Sequence, residues 1–281
     1  MTTTAATAHD KTPAPLPRQI PYIIATEGCE RFSFYGMRNI LTPFLVSTLL
    51  LYLPLGERAL AAKDVFHTFV IGVYFFPLLG GWIADRLWGK YRTILWLSLV
   101  YVAGHACLAL FDNHRTGFYT GLFLIALGSG GIKPLVSAFV GDQFDSSNKH
   151  RAKLVYDAFY WIINFGSFFA SLLMPIFLRD LGPAIAFGIP GALMAIALLV
   201  FWLGRHRYVR VPPTPPNPHS LLRVARSALL ARVPGQARPG LWIAILGIVA
   251  ALFALAVIPQ LGFVISACLA LGALLVFGGI G

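Results

Sequence analysis

Long apolar runs alternate with short polar connections along almost the whole chain. Each run is close to the ~20 residues a helix needs to cross a bilayer. The runs fall near 20–52, 64–87, 91–111, 117–140, 154–178 and 183–204, with two more near 241–258 and 262–279. Their apolar positions are continuous, not alternating, which excludes a membrane β-barrel. The pattern predicts an all-α membrane protein: a six-helix bundle (20–204), a polar linker (205–239) and a two-helix transmembrane hairpin (240–281).

The polar connections differ in charge. Arg86, Lys90 and Arg92 follow the second span, and Lys149, Arg151 and Lys153 follow the fourth. Seven arginines, with no acidic residue among them, lie between Arg205 and Arg238 after the sixth. The connections at 57–64, 112–115 and 179–182 carry few charges of mixed sign. Basic residues collect on the cytoplasmic side, so the even connections and the N-terminus are expected there. Residues 1–19 have no apolar core or small-residue cleavage site and read as a cytoplasmic tail, not a signal peptide.

Inside the linker, VPPTPPNP (211–218) is a stiff spacer. SLLRVARSALLAR (220–232) sets Leu222, Ala225, Leu229 and Leu230 along one side of a helix suited to a membrane surface, and reads equally as a disordered linker. The hairpin has no charged residue and turns at Pro259-Gln260. A hairpin of that kind supports a structure or faces lipid; it does not line a polar pathway.

Composition agrees with the pattern. Hydrophobic residues make up 57% and charged residues 12%, against about 25% charged in a soluble domain. The net charge of +11 is concentrated in the linker, so it speaks for membrane orientation and not for a nucleic-acid partner. Cys29, Cys107 and Cys268 are scattered in apolar surroundings and read as small buried hydrophobes. With no nucleophile–base pair and no metal-ligand cluster in the pattern, neither an enzyme nor a metal or other cofactor is expected.

Charges inside spans change the picture most. Each costs ~2.5 to 3.5 kcal/mol on insertion scales and so marks a pathway or a ligand site. Glu27, Glu30, Arg31, Phe34 and Arg38 follow i, i+3, i+4, i+7, i+11, one face of a helix, which is expected to face a cavity. Lys133 is the next intramembrane charge. Glu30 lies ~15 Å from the start of the first span and Lys133 ~14 Å from the end of the fourth, so they share a depth. A carboxylate beside two cations can lose or gain its proton with little free-energy difference. Protonation would release a cation for an anionic ligand, which couples proton movement to that ligand through a two-state switch.

Other candidates are weaker. Asn164, in the fifth span, needs an amide partner, from another helix or from a ligand. Tyr74 reads as pocket or packing. His67, near Asp64 at the outer end of the second span, suits a proton route, because histidine is the residue type whose charge changes near neutral pH. Asp85 and Arg86 sit at a helix end and suit a conformational charge pair. The glycines of GSGGIKP do not form a phosphate loop, since no Ser or Thr follows the lysine. Gly128, Gly130 and Gly131 are expected to let helices approach closely.

Four ordered stretches carry a family resemblance. Glu27-x-x-Glu30-Arg31-Phe32 with Tyr35-Gly36-Met37-Arg38, GWIADRLWGKYRT, GSGGIKPLVSAFVGDQF and FYWIINFGS resemble the signatures of the proton-coupled oligopeptide transporters of the major facilitator superfamily. The resemblance implies symport of di- and tripeptides with protons, by alternating access across a bacterial inner membrane. It implies that Glu27, Glu30 and Arg31 couple the proton, with His67 beside them through FHTF. It assigns Arg31, Arg38 and Lys133 to the peptide carboxylate, Tyr35 and Tyr74 to the pocket wall, and Asn164 to the peptide backbone or amino end. Phe34 departs from the tyrosine of many members. Family members have twelve core helices, so a C-terminal six-helix bundle is expected beyond this chain, and no Asp or Glu occurs after Asp180 to supply that half's acidic groups. Two rivals stay open: a symporter of another anion such as nitrate, and a non-transporting membrane scaffold or sensor.

Overall fold

The computed structural model describes residues 15–214, 239–257 and 263–280. The proposed surface helix at 220–232 and the Pro259-Gln260 turn lie outside these. Six helices form the main body: α1 (Ile20–Phe44), α2 (Leu55–Ile83), α3 (Lys90–Leu110), α4 (Arg115–Gly141), α5 (Ala152–Leu181) and α6 (Pro183–Leu203). Two more follow, α7 (Pro239–Ala256) and α8 (Phe263–Ile280). No strand occurs among the described residues.

Among the described residues five helices, α2 to α6, are long and apolar enough to cross a membrane. The charges of α1 keep it out of that set, although it is 25 residues long. This is a multi-pass membrane protein of all-α class.

The helix boundaries correct one reading. α2 begins at Leu55, so 57–64 is helix and not a connection. The stretch GERALAAKD is polar but made of strong helix formers, and Pro54 stands before its first turn. Hydropathy marks where the apolar layer begins, whereas the helix extends beyond it. Arg58 secures this end by donating to Leu53 O at 2.8 Å and Leu51 O at 3.0 Å. His67 therefore stands about three turns inside a helix and not at its end.

α1 packs on α5 and α6, α4 on α3 and α2, and α3 on α6. No comparable packing joins α2 to α5, so these two are the free arms of an open ring. Aromatic side chains on both arms are exposed, Tyr74 and Trp82 on one and Tyr160, Trp161 and Phe168 on the other. Small residues allow the close crossings. A Cβ on Gly130 would lie 2.7 Å from Val73 O, and one on Gly128 2.7 Å from Leu97 O. Gly131 backs directly on Gly80. Apolar helices in lipid associate through such contact, because burial from lipid supplies no hydrophobic drive.

α7 and α8 pack on each other through Ala251, Ala254 and Ala270, and α8 leans on α2. Ser266 is a buried polar group in this hairpin, with no hydrogen-bond partner among the described residues.

Candidate functional site

Two of the intramembrane charges of α1 converge on a third. Arg31 Nε lies 2.7 Å from Glu27 Oε1 and 2.6 Å from Glu30 Oε2. All three residues are at most 6% exposed. The two carboxylates reach one guanidinium because positions i−4 and i−1 flank Arg31 on the helix. Glu30 pairs by proximity and not by alignment: neither of its carboxylate oxygens has a hydrogen-bond donor among the described residues.

The stripe does not open onto a wide cavity at this point; helices cover it. A Cβ on Gly166 of α5 would lie 3.0 Å from Gly28 O and 3.3 Å from Arg31 Cβ, so the glycine lets α5 close over the cluster.

Lys133 enters from α4. Its Nζ sits 4.0 Å from the Phe34 ring centroid and 5.7 Å from that of Tyr74. Glu30, Arg31, Arg38 and Glu27 all act electrostatically on it. No carboxylate comes within ion-pair distance of it among the described residues. The shared depth brings Lys133 and Glu30 into one field, but Phe34 supplies the lysine's contact. A phenyl face stabilises an ammonium through its quadrupole without competing for it as a carboxylate would.

The remaining candidates gather unevenly. Tyr35 meets Phe34 edge-on at 5.5 Å, and Arg38 lies 5.5 Å from the Phe66 ring, next to His67. His67 is exposed, and Tyr74 is 70% exposed on the free arm. Asn164 is exposed on the other arm and donates to Tyr160 O of its own helix at 2.8 Å, so an interhelical amide bond is not what satisfies it. Asp85 and Arg86 lie away from the cluster, in the wide turn Ala84–Trp88. Asp85 is exposed there, and its backbone carbonyl accepts from Thr214 N at 2.8 Å. An ion pair near that end joins Lys90 to Asp142, at 2.8 Å, tying α3 to the end of α4.

A second polar cluster lies behind the first and escaped the motif reading. Ser33 donates to Pro190 O at 2.7 Å, so it accepts from His105 Nε2, 2.9 Å away. His105 is fully buried, and its Nδ1 has no partner among the described residues. Tyr101 stacks on His105 at 5.0 Å and acts electrostatically with Glu30 and Arg31. The available signal was an imidazole in the middle of an apolar span. Its sequence neighbours carry no family signature, so nothing in the motifs marks it.

Known proteins align with this arrangement. The model of the POT family (PTR2) matches residues 91–238. Peptide transporter family 1 of Drosophila melanogaster is 40% identical over 215 residues, covering 72% of this chain and 28% of the relative. Solute carrier family 15 member 2 of Danio rerio is 42% identical over 211 residues, covering 70% and 28%. The chain thus spans under a third of the length of these relatives. Among solved structures, the POT family transporter PepTSo is 63% identical with a TM-score of 0.90, covering 95% of this chain and 53% of that one.

Proposed function

The chain belongs to the POT family, and from that premise we propose that it is the N-terminal half of a proton-coupled symporter of di- and tripeptides. It works by alternating access in a bacterial inner membrane, with its N-terminus in the cytoplasm. The Drosophila relative is named as a peptide transporter, which supports the substrate class. The charge asymmetry of the connections supports the orientation.

The observation that carries the mechanism is Glu30: buried, beside Arg31, and without a hydrogen-bond donor on either oxygen among the described residues. A proton taken by this carboxylate removes one of the two charges held by Arg31. Glu27 still neutralises the guanidinium, whose remaining N–H groups turn toward the pocket. Lys133, resting on Phe34 with no carboxylate in ion-pair range among the described residues, receives the peptide carboxylate, and Arg38 adds to the positive field. Release of the proton restores the Glu30–Arg31 pair and lowers affinity for the anionic end. Tyr35 and Tyr74 line the pocket, Asn164 holds the peptide backbone or amino end, and His67 serves the proton route. Asp85 and Arg86 change partners as the bundle rocks.

Uptake into liposomes carrying the full-length protein, under an imposed pH gradient, tests this reading. Dialanine should be accumulated, and nitrate should neither enter nor compete. Nitrate accumulation blocked by dialanine would make the ligand a small anion, and no uptake of either would support a non-transporting role.

A further inference from the structure

Two adjoining hollows on the outside of the bundle have opposite character. The first, about 370 Å³, is a groove between α3 and α6 lined by Leu95, Trp96, Leu99, Leu198, Leu199 and Trp202. The second, about 380 Å³, lies at the start of α3 and is bounded by Trp88, Gly89, Tyr91, Arg92 and Arg210. Arg92, Trp96 and Leu99 stand at i, i+4 and i+7, so the basic hollow continues the apolar groove along one face of α3. Leu198, Trp202 and Arg205 do the same on α6. Tyr91 stacks on Phe201 at 5.5 Å, which sets the first turn of α3 beside the last of α6. Both walls therefore run from apolar lining into arginine at the same end.

The arginines are held in place by aromatic rings. Arg205 lies 3.6 Å from the Trp202 ring and Arg210 4.0 Å from that of Tyr91. One N–H of Arg205 donates to Trp202 O, and one of Arg210 donates to Arg205 O. A guanidinium has five donors, so most remain for an anion. No carboxylate lines either hollow. Trp96 and Trp202 are exposed, as indoles are where hydrocarbon meets headgroups.

We propose that this composite hollow binds an anionic phospholipid. One acyl chain lies in the groove between Trp96 and Trp202, and the phosphate meets Arg92, Arg205 and Arg210. A soluble anion would leave the groove unexplained. A zwitterionic lipid would bring an amine for which the hollows offer no acid. The site is separate from the charge cluster of α1 and does not depend on which solute is carried.

Native mass spectrometry of the detergent-purified protein, titrated with phosphatidylglycerol or phosphatidylcholine, tests the proposal. Phosphatidylglycerol should persist as a one-to-one adduct. Each arginine removed should weaken it roughly fivefold, so Arg92→Ala with Arg210→Ala costs about 25-fold. Leu199→Trp, which fills the groove and leaves the charge intact, should weaken it too, and glycerophosphoglycerol without acyl chains should not displace the lipid. Equal retention of both lipids, wild-type affinity in either variant, or displacement by the free headgroup would overturn the assignment.

Discussion

Two sets of polar groups on α1 are held in opposite ways. In one, Glu27, Glu30 and Arg31 are buried as charges, with Glu30 lacking any aligned donor among the described residues. In the other, the Ser33 hydroxyl donates to Pro190 O of α6 at 2.7 Å, and Thr26 donates to Tyr22 O of its own helix at 2.8 Å with Ala197 O of α6 at 3.2 Å. Neutral, directed bonds fix α1 against its neighbour and change little with protonation. On the proposed mechanism the charged set is bound by an interaction that one proton can remove, so that one helix would carry both an anchor and a switch.

Substitutions in either set can break that contrast. The largest effect is expected for Arg31→Ala, which strands two buried carboxylates and should destabilise the bundle by about 3–5 kcal/mol. Thermal unfolding in detergent measures it; a loss below about 1 kcal/mol would mean that the pair carries little charge. Ser33→Ala leaves the His105 N–H without an acceptor and should cost about 1–3 kcal/mol. Its proton-to-peptide ratio, read in liposomes, should stay at the wild-type value, and an altered ratio would merge the two sets into one relay.

Lys133→Ala sharpens the contrast from across the bundle. Binding of free-carboxylate peptides should weaken about tenfold, or about 1.4 kcal/mol, and binding of the corresponding amides much less. Equal losses would argue against carboxylate recognition. Asn164→Ala should be smallest in stability, within about 0.5 kcal/mol, because the side chain is exposed and bonded to its own helix. Its effect should fall on peptide affinity, and a large drop in melting temperature would show a structural role instead.

The spans were legible because apolar length is a one-dimensional property. The charged stripe of α1 was legible for the same reason, since five positions on one helix need only the helical period. What the sequence hid was the relation between helices. The start of α2 was lost because GERALAAKD is polar yet helical. The Phe34 ring under Lys133 was hidden because shared depth does not say which side chain fills the gap. His105 was hidden because its partners, Ser33 and Tyr101, come together through packing of α1 and α3. The glycines of α4 are legible as contact points, but that Gly131 meets Gly80 depends on where α2 and α4 cross, which no single-helix pattern encodes.

The central claim is that Glu30 exchanges the coupled proton. Glu30→Gln keeps the size and burial of the side chain and removes its charge. In liposomes carrying the full-length variant, dialanine uptake driven by a pH gradient should be abolished while counterflow exchange persists. Gradient-driven uptake at the wild-type rate would contradict the claim and move the coupling to another group.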